Sequence, residues 1–187
     1  MTAVPTMVPT AWAPDNAINV LLLGSDTSLD RTSWRTDVII VVSINPDGPS
    51  AAMLSIPRDL FVWVPEWKMA KINTVDTHGA AVGYEGGGPG LLKQTLLYNL
   101  GIPVHYYARV DFAGFQRIVD TLGGLDLPVT CAMTDSRLKS PELDPADEEN
   151  WELFTVEQQV HHMDGEFALW YARSRKRSSD FDRSRRQ

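Results

Sequence analysis

Four short stretches place charged side chains at the ends of apolar runs. "LLLGSD" closes on Asp26, and "RTDVII" opens with Arg35 and Asp37. "SIPRDL" sets Arg58 and Asp59 directly after an apolar segment, and "KINTV" carries Lys71 and Asn73. Any one stretch is explained equally well by wet loops, because charged residues collect wherever strands end. As a set they resist that explanation, since acids alternate with Arg and Lys. Carboxylates beside several guanidiniums suit a magnesium ion bound to phosphate groups. The acids hold the hard cation, and the forked donors neutralise phosphate oxygens.

A second basic group closes the chain, in "YARSRKRSSDFDRSRRQ". Residues 171–187 hold seven basic against two acidic side chains, a local net of +5. The preceding 170 residues carry ten basic and 22 acidic side chains, a net of -12. Such asymmetry suits a polyanionic partner or a solvated tail. A nucleic acid is disfavoured as that partner by a sequence pI near 5.0 and by the lack of a recognisable reading module.

These groups need elements to position them. "INVLLLG" (18–24), "TDVIIVVSI" (36–44) and "AAMLSI" (51–56) read as short buried strands, and "NPDGPS" between the last two has hairpin turn chemistry. "GPGLLKQTLLYNLG" (88–101) reads as a helix with Leu91, Leu92, Thr95, Leu96 and Leu100 on one side, closed by Gly101. "HYYARV" (105–110) reads as a strand. "DFAGFQRIVDTLGG" (111–124) reads as a helix capped by Asp111, with Phe112, Phe115, Ile118, Val119 and Leu122 as its stripe. "LDLPVT" (125–130) reads as a strand, residues 134–153 as a polar exposed excursion, and "DGEFALWYARSR" as a helix capped by Asp164. Strands and helices interleave, and a hairpin breaks the βαβ rhythm. The expected fold is α/β, a mixed central sheet with helices on both faces, an α-β-α sandwich. Residues 1–16, rich in Pro, Thr and Ala, read as a flexible linker ahead of one domain over 17–187.

The remaining candidates are weaker. Cys131, the single cysteine, reads as a buried inert thiol. His78, His105, His161 and His162 have no zinc-motif spacing and read as surface or structural residues. "YEGGGPG" lacks the Lys–Ser/Thr of a phosphate loop and reads as a plain loop before a helix. No apolar run approaches the ~20 residues of a membrane span.

Taken together, "LLLGSD", "RTDVIIV", "SIPRD", "KIN", "GGPG", "VDFAGFQRIVDTLGG", "DGEFALWYARSR" and "SSDFDRSRRQ" resemble, in order and approximate spacing, the LytR–CpsA–Psr domain. The resemblance covers residues 18–187. It implies an extracytoplasmic domain of a membrane-anchored bacterial protein, with the anchor outside these residues. It also implies a phosphotransferase that moves a glycopolymer from a polyprenyl pyrophosphate carrier onto peptidoglycan. In such a domain an apolar tunnel holds the lipid, with pyrophosphate at its mouth. Position by position, Asp26 and Asp37 fall on the magnesium-associated acids and Arg58 on the catalytic arginine. Arg35 and Lys71 join Arg58, Arg173, Arg175, Arg183 and Gln187 around the pyrophosphate, and Asp59 and Asp180 fall on supporting positions. Two alternatives use the same site: a polyprenyl pyrophosphate hydrolase, with water replacing the sugar hydroxyl, and a non-catalytic prenyl-phosphate binder. Lys176, Arg177, Arg185 and Arg186 read as solvated rather than as site residues.

Overall fold

The computed structural model describes residues 16–25, 35–140 and 142–174. They divide after Phe112 into two compact units.

The first unit is built on a four-stranded sheet. Strand β1 (Ile18–Ser25) pairs antiparallel with β2 (Thr36–Asn45), which turns through Asn45–Gly48 into β3 (Ser50–Ser55). The turn is held by the Asp47 amide donating to the Asn45 side chain at 3.0 Å and the Ser50 amide donating to the Gly48 carbonyl at 2.7 Å. Next come the short antiparallel pair β4 (Phe61–Trp63) and β5 (Met69–Lys71), then α1 (Val75–Ala81) and α2 (Gly87–Leu100). Strand β6 (Tyr106–Val110) adds parallel to β1, giving the order β3-β2-β1-β6. The sheet is therefore mixed, as expected. The registers bring the C-terminal ends of β1, β3 and β6 to the same edge as the start of β2.

One face of the two central strands, β1 and β2, is covered. Leu21, Leu23, Ile39 and Val41 point into a core completed by Val75, Leu91, Leu92 and Leu96 of α1 and α2. Each fully buried aliphatic side chain contributes about 2 kcal/mol before the entropy of ordering it. The helices approach closely through Gly79, where a Cβ would lie 2.9 Å from the Gly88 Cα and from the Leu91 Cβ. α2 stops at Gly101, whose φ of 68° is left-handed and costs glycine little.

The opposite face departs from the reading of fully buried strands. Ile18, Val38 and Ile44 remain 37–40% exposed, and Met53 is 77% exposed. Register places Ile18 beside Ile44, Val20 beside Val42, Leu22 beside Ile40 and Val42 beside Met53. β1 and β2 are apolar on both sides, with one side buried and the other partly buried at Val20, Leu22, Ile40 and Val42, whereas every residue of β3 is exposed. β4, β5 and α1 were not legible in the sequence, because elements of three to seven residues carry too little periodicity.

The second unit contains α3 (Phe112–Thr121), whose first residue closes the first unit, followed by β7 (Leu125–Pro128). Then come β8 (Met133–Leu138), β9 (Trp151–Val156), β10 (Val160–Met163) and α4 (Gly165–Arg173). The stretch read as a polar excursion is largely the antiparallel β8–β9 hairpin and its loop. Polar residues on both hairpin faces, such as the hydroxyl pair Thr134–Thr155 at 2.8 Å, erase the apolar alternation that marks a strand. The α3 stripe is only half realised. Val119 is buried and Phe115 packs beside it, but Ile118 is 50% and Leu122 69% exposed, because the small core of Val129, Val156, Met163 and Ala168 engages one side of the helix. Cys131 is exposed rather than buried, lying in the irregular segment between β7 and β8. Asp164 caps α4 as expected, accepting from the Phe167 amide at 2.8 Å.

On the β7–β10 pair, His162 stands opposite Asp126 and its Nδ1 lies 2.8 Å from the carboxylate. The hydrogen bond to Asp126, with that carboxylate's charge, raises the imidazole pKa above its ordinary 6.5. A raised histidine adds stability that is fully present below about 6.5 and fades as pH climbs through the folded-state value. An NMR titration should place His162 above 6.5, and Asp126→Asn should bring it back. An unshifted His162 in the parent chain contradicts the pairing.

Candidate functional site

The edge where β1, β3 and β6 end and β2 begins carries the charged cluster. Asp37, at the second position of β2, accepts from Arg58 Nη1 at 2.8 Å. Arg58, two residues beyond buried Ile56, also directs Nε to Asp59 Oδ2 at 3.3 Å. Asp59 completes the chain of charges by accepting from Lys71 Nζ at 2.7 Å on its other oxygen. Backbone hydrogen bonds hold the two loops together: the Asn73 amide donates to the Arg58 carbonyl at 3.2 Å, and the Ile72 amide to the Leu60 carbonyl at 2.9 Å.

The electrostatics follow from this order. Partial burial works against the Arg58 charge, but Asp37 and Asp59 together raise its pKa above the ordinary value. Asp59 is held below the ordinary 3.8, first by its hydrogen bond from Lys71 and then by Arg58. Its contribution is present above about 3.8 and lost as pH falls through the lowered value, so the Arg58–Asp59 pair stays ionised at neutral pH. The two cations and two anions balance in charge, and the Arg58 and Lys71 N–H groups that do not serve Asp37 or Asp59 are left to meet an anionic ligand.

Behind this array lies a group that the sequence did not reveal. Asp76 on α1 is fully buried and accepts from Thr36 Oγ1 at 3.0 Å and from Arg109 on β6. Thr36 immediately precedes Asp37, and α1 begins four residues after Lys71. Asp76 therefore ties together the start of β2, the end of β6 and the helix that continues from the lysine loop. The available signal was an acid set beside Val75 in "VDTHGAA", on a helix too short to be read. Asn73, also buried, keeps its Oδ1 without a partner.

Of the expected site residues, the structure brings together Asp37, Arg58, Asp59 and Lys71. Arg35 directly precedes β2 on the same side. Arg173 ends α4, in the second unit, and is exposed. There the chain leaves the helix at Ser174, whose hydroxyl donates to buried Asp135 at 2.6 Å. Asp26, Arg175, Asp180, Arg183 and Gln187 lie outside the described residues, as do Lys176, Arg177, Arg185, Arg186 and linker residues 1–15.

Asp37 is half-exposed and uses one oxygen toward Arg58, leaving the other for a cation. Magnesium usually takes one or two carboxylates plus phosphate and water oxygens, so the donor set fits. Among the described residues no helix is long and apolar enough to cross a membrane.

The chain is similar in sequence and fold to known proteins. A model of the LytR_cpsA_psr family matches residues 4–187. The polyisoprenyl-teichoic acid–peptidoglycan teichoic acid transferase TagU of Oceanobacillus iheyensis is 34% identical over 174 residues, covering 92% of this chain and 48% of that protein. The crystal structure of Bacillus subtilis TagV matches with a TM-score of 0.67 at 30% identity, over 93% of this chain and 61% of that one. The family protein YwtF (TagT), solved with bound octaprenyl pyrophosphate lipid, matches with a TM-score of 0.63 at 29% identity, over 97% of this chain and 66% of that one. The chain spans about half the length of the curated relatives it matches.

Proposed function

Because the chain belongs to the LytR_cpsA_psr family, we propose that it transfers a glycopolymer from a polyprenyl pyrophosphate carrier to peptidoglycan, as an extracytoplasmic domain of a membrane-anchored protein. One observation carries this reading. The sheet leaves an apolar face partly exposed, with Ile18, Val38 and Ile44 at 37–40% and Met53 at 77%, and the Asp37–Arg58–Asp59–Lys71 array stands at one edge of the same sheet. A large exposed apolar patch marks a binding surface. A patch bordered by donors for an anion has the two-part chemistry of a prenyl pyrophosphate. The relative solved with octaprenyl pyrophosphate supports the same ligand class and an apolar tunnel for its chain.

In this reading Arg58 and Lys71 bind pyrophosphate oxygens, with Arg35, Arg173, Arg175, Arg183 and Gln187 as further contacts. The acceptor sugar hydroxyl attacks the phosphorus that carries the glycan. The bond to the bridging oxygen breaks, and prenyl phosphate leaves. Asp37, or Asp26, accepts the hydroxyl proton, and Arg58 stabilises charge growing on the bridging oxygen. Asp26 and Asp37 would hold magnesium, which supplies further neutralisation of phosphate charge.

The apolar face can be tested without turnover. Val38→Asp puts a charge on the exposed side of β2, where the core is not disturbed. It should weaken binding of a short-chain prenyl pyrophosphate at least tenfold, while inorganic pyrophosphate binds as before. Unchanged lipid affinity, measured by titration calorimetry, removes the sheet face from the account.

A further inference from the structure

Strand β2 breaks its alternation where it enters the charged array. Register pairs Leu23 with Ile39 and Gly24 with Val38, then steps to Ser25 with Thr36. Asp37 is the extra residue, a β-bulge in the β1–β2 pair. Burial shows the same break. Thr36 and Ile39 are buried, while Asp37 and Val38 between them are both exposed. Side chains of a regular strand change face at every residue. Counting back from Ile39 without the bulge would turn Asp37 into the core and Thr36 out of it. The bulge therefore puts a hydroxyl on the buried side and a carboxylate on the outer one. Re-aiming a side chain in this way is what bulges do beside active sites.

Contacts on both faces hold this register. On the buried side Thr36 Oγ1 donates to Asp76 at 3.0 Å, and both residues are fully buried. Arg109 of β6 donates to the same carboxylate and keeps it in place. The Asp76 charge also works against the alternative. An unbulged strand would turn the Asp37 carboxylate toward the face where Asp76 already sits, and like charges repel strongly where water is excluded. On the outer side Gly24 makes room for Val38, since a Cβ at Gly24 would lie 2.9 Å from the Val38 Cβ. Held at the bulge, Asp37 accepts from Arg58 Nη1 at 2.8 Å.

We propose that Thr36 and Asp76 are positioning residues of the transferase site: their buried hydrogen bond fixes the β2 bulge, and the bulge aims Asp37 at Arg58. Both act through Asp37 rather than on substrate. This role rests on the transferase reading of Asp37 and Arg58.

The test uses the 187-residue chain and compares Thr36→Val, which keeps the shape but removes the hydroxyl, with Thr36→Ser, which restores it. Transfer from a short-chain prenyl pyrophosphate bearing a glycan is measured with peptidoglycan as acceptor. Thr36→Val should lower kcat about tenfold or more, because a misplacement of about 1 Å can cost roughly a hundredfold. The donor KM should stay within about twofold of the parent value, since Arg58 and Lys71 still bind the anion. Thr36→Ser should recover most of the loss. In an Asp37→Asn background Thr36→Val should cost nothing further, whereas a general weakening of the fold would add its own loss. A second readout needs no turnover. Amide hydrogen exchange over residues 36–38 should be slow in the parent, about tenfold faster in Thr36→Val, and unchanged over residues 40–43. Should Thr36→Val not fold, Gly24→Ala presses on Val38 from the outer face and should give the same kcat loss and the same local exchange. Parent-like kcat, additive losses with Asp37→Asn, or unchanged exchange at 36–38 each overturn the proposal. No transfer by the parent chain would remove the transferase reading and this role with it, whereas parent transfer with an unaffected Thr36→Val removes this role alone.

Discussion

Replacing Arg58 by Lys should lower glycan transfer about a hundredfold while leaving the fold intact. Lysine keeps the positive charge but loses the fork that serves two carboxylates at once. In the structure Nη1 serves Asp37 and Nε serves Asp59. A lysine ammonium reaches one of these, and the other acid turns from a partner into a negative charge facing the pyrophosphate. The loss should fall mainly on kcat, because Lys71 remains to bind the ground-state anion. The side chain is about one-third exposed, so unfolding midpoints should barely move. Arg186→Lys, far along the basic tail, is the control. Equal losses at Arg58 and Arg186 would mean that the tail and the array act through bulk charge alone.

The second large effect concerns stability. Arg109→Ala removes the cation from Asp76, whose side chain is 0% exposed. Removing one partner of a buried ion pair costs about 3–5 kcal/mol, far more than the intact pair contributes. Thr36 still donates to Asp76, so the lower end of that range is expected, about 3 kcal/mol. Asp76→Asn in the Arg109→Ala background removes the buried charge and should recover much of the loss. Urea unfolding of the parent, both single variants and the double variant gives the coupling. A loss below about 1 kcal/mol in Arg109→Ala would mean that the pair behaves as an exposed one.

The comparison of sequence with structure turns on the same residues. β1, β2, β3, β6, α2 and α4 were legible because each is an apolar run or stripe bounded by Gly, Pro or a capping Asp. Arg58 and Lys71 were legible as chemistry because each follows or ends an apolar segment at a turn. Their mutual contact through Asp59 was not, since it depends on how the β4–β5 pair folds back. Asp76 escaped notice because its partners, Thr36 and Arg109, are 40 and 33 residues away in sequence. The exposed sheet face was misread for a related reason. An all-apolar strand shows that both sides seek apolar contact, not that protein supplies it. The same ambiguity hid β8 and β9, whose polar faces gave no period of two.

Most directly, the central claim is tested by one turnover measurement with two readouts. A short-chain prenyl pyrophosphate bearing a radiolabelled glycan is incubated with this chain, purified peptidoglycan and magnesium. Label in peptidoglycan and label released to water are both counted. Arg58-dependent incorporation into peptidoglycan is the predicted result. Release to water alone would make the protein a pyrophosphate hydrolase, and tight lipid binding with neither product would make it a prenyl-phosphate binder. Either outcome contradicts the transferase reading.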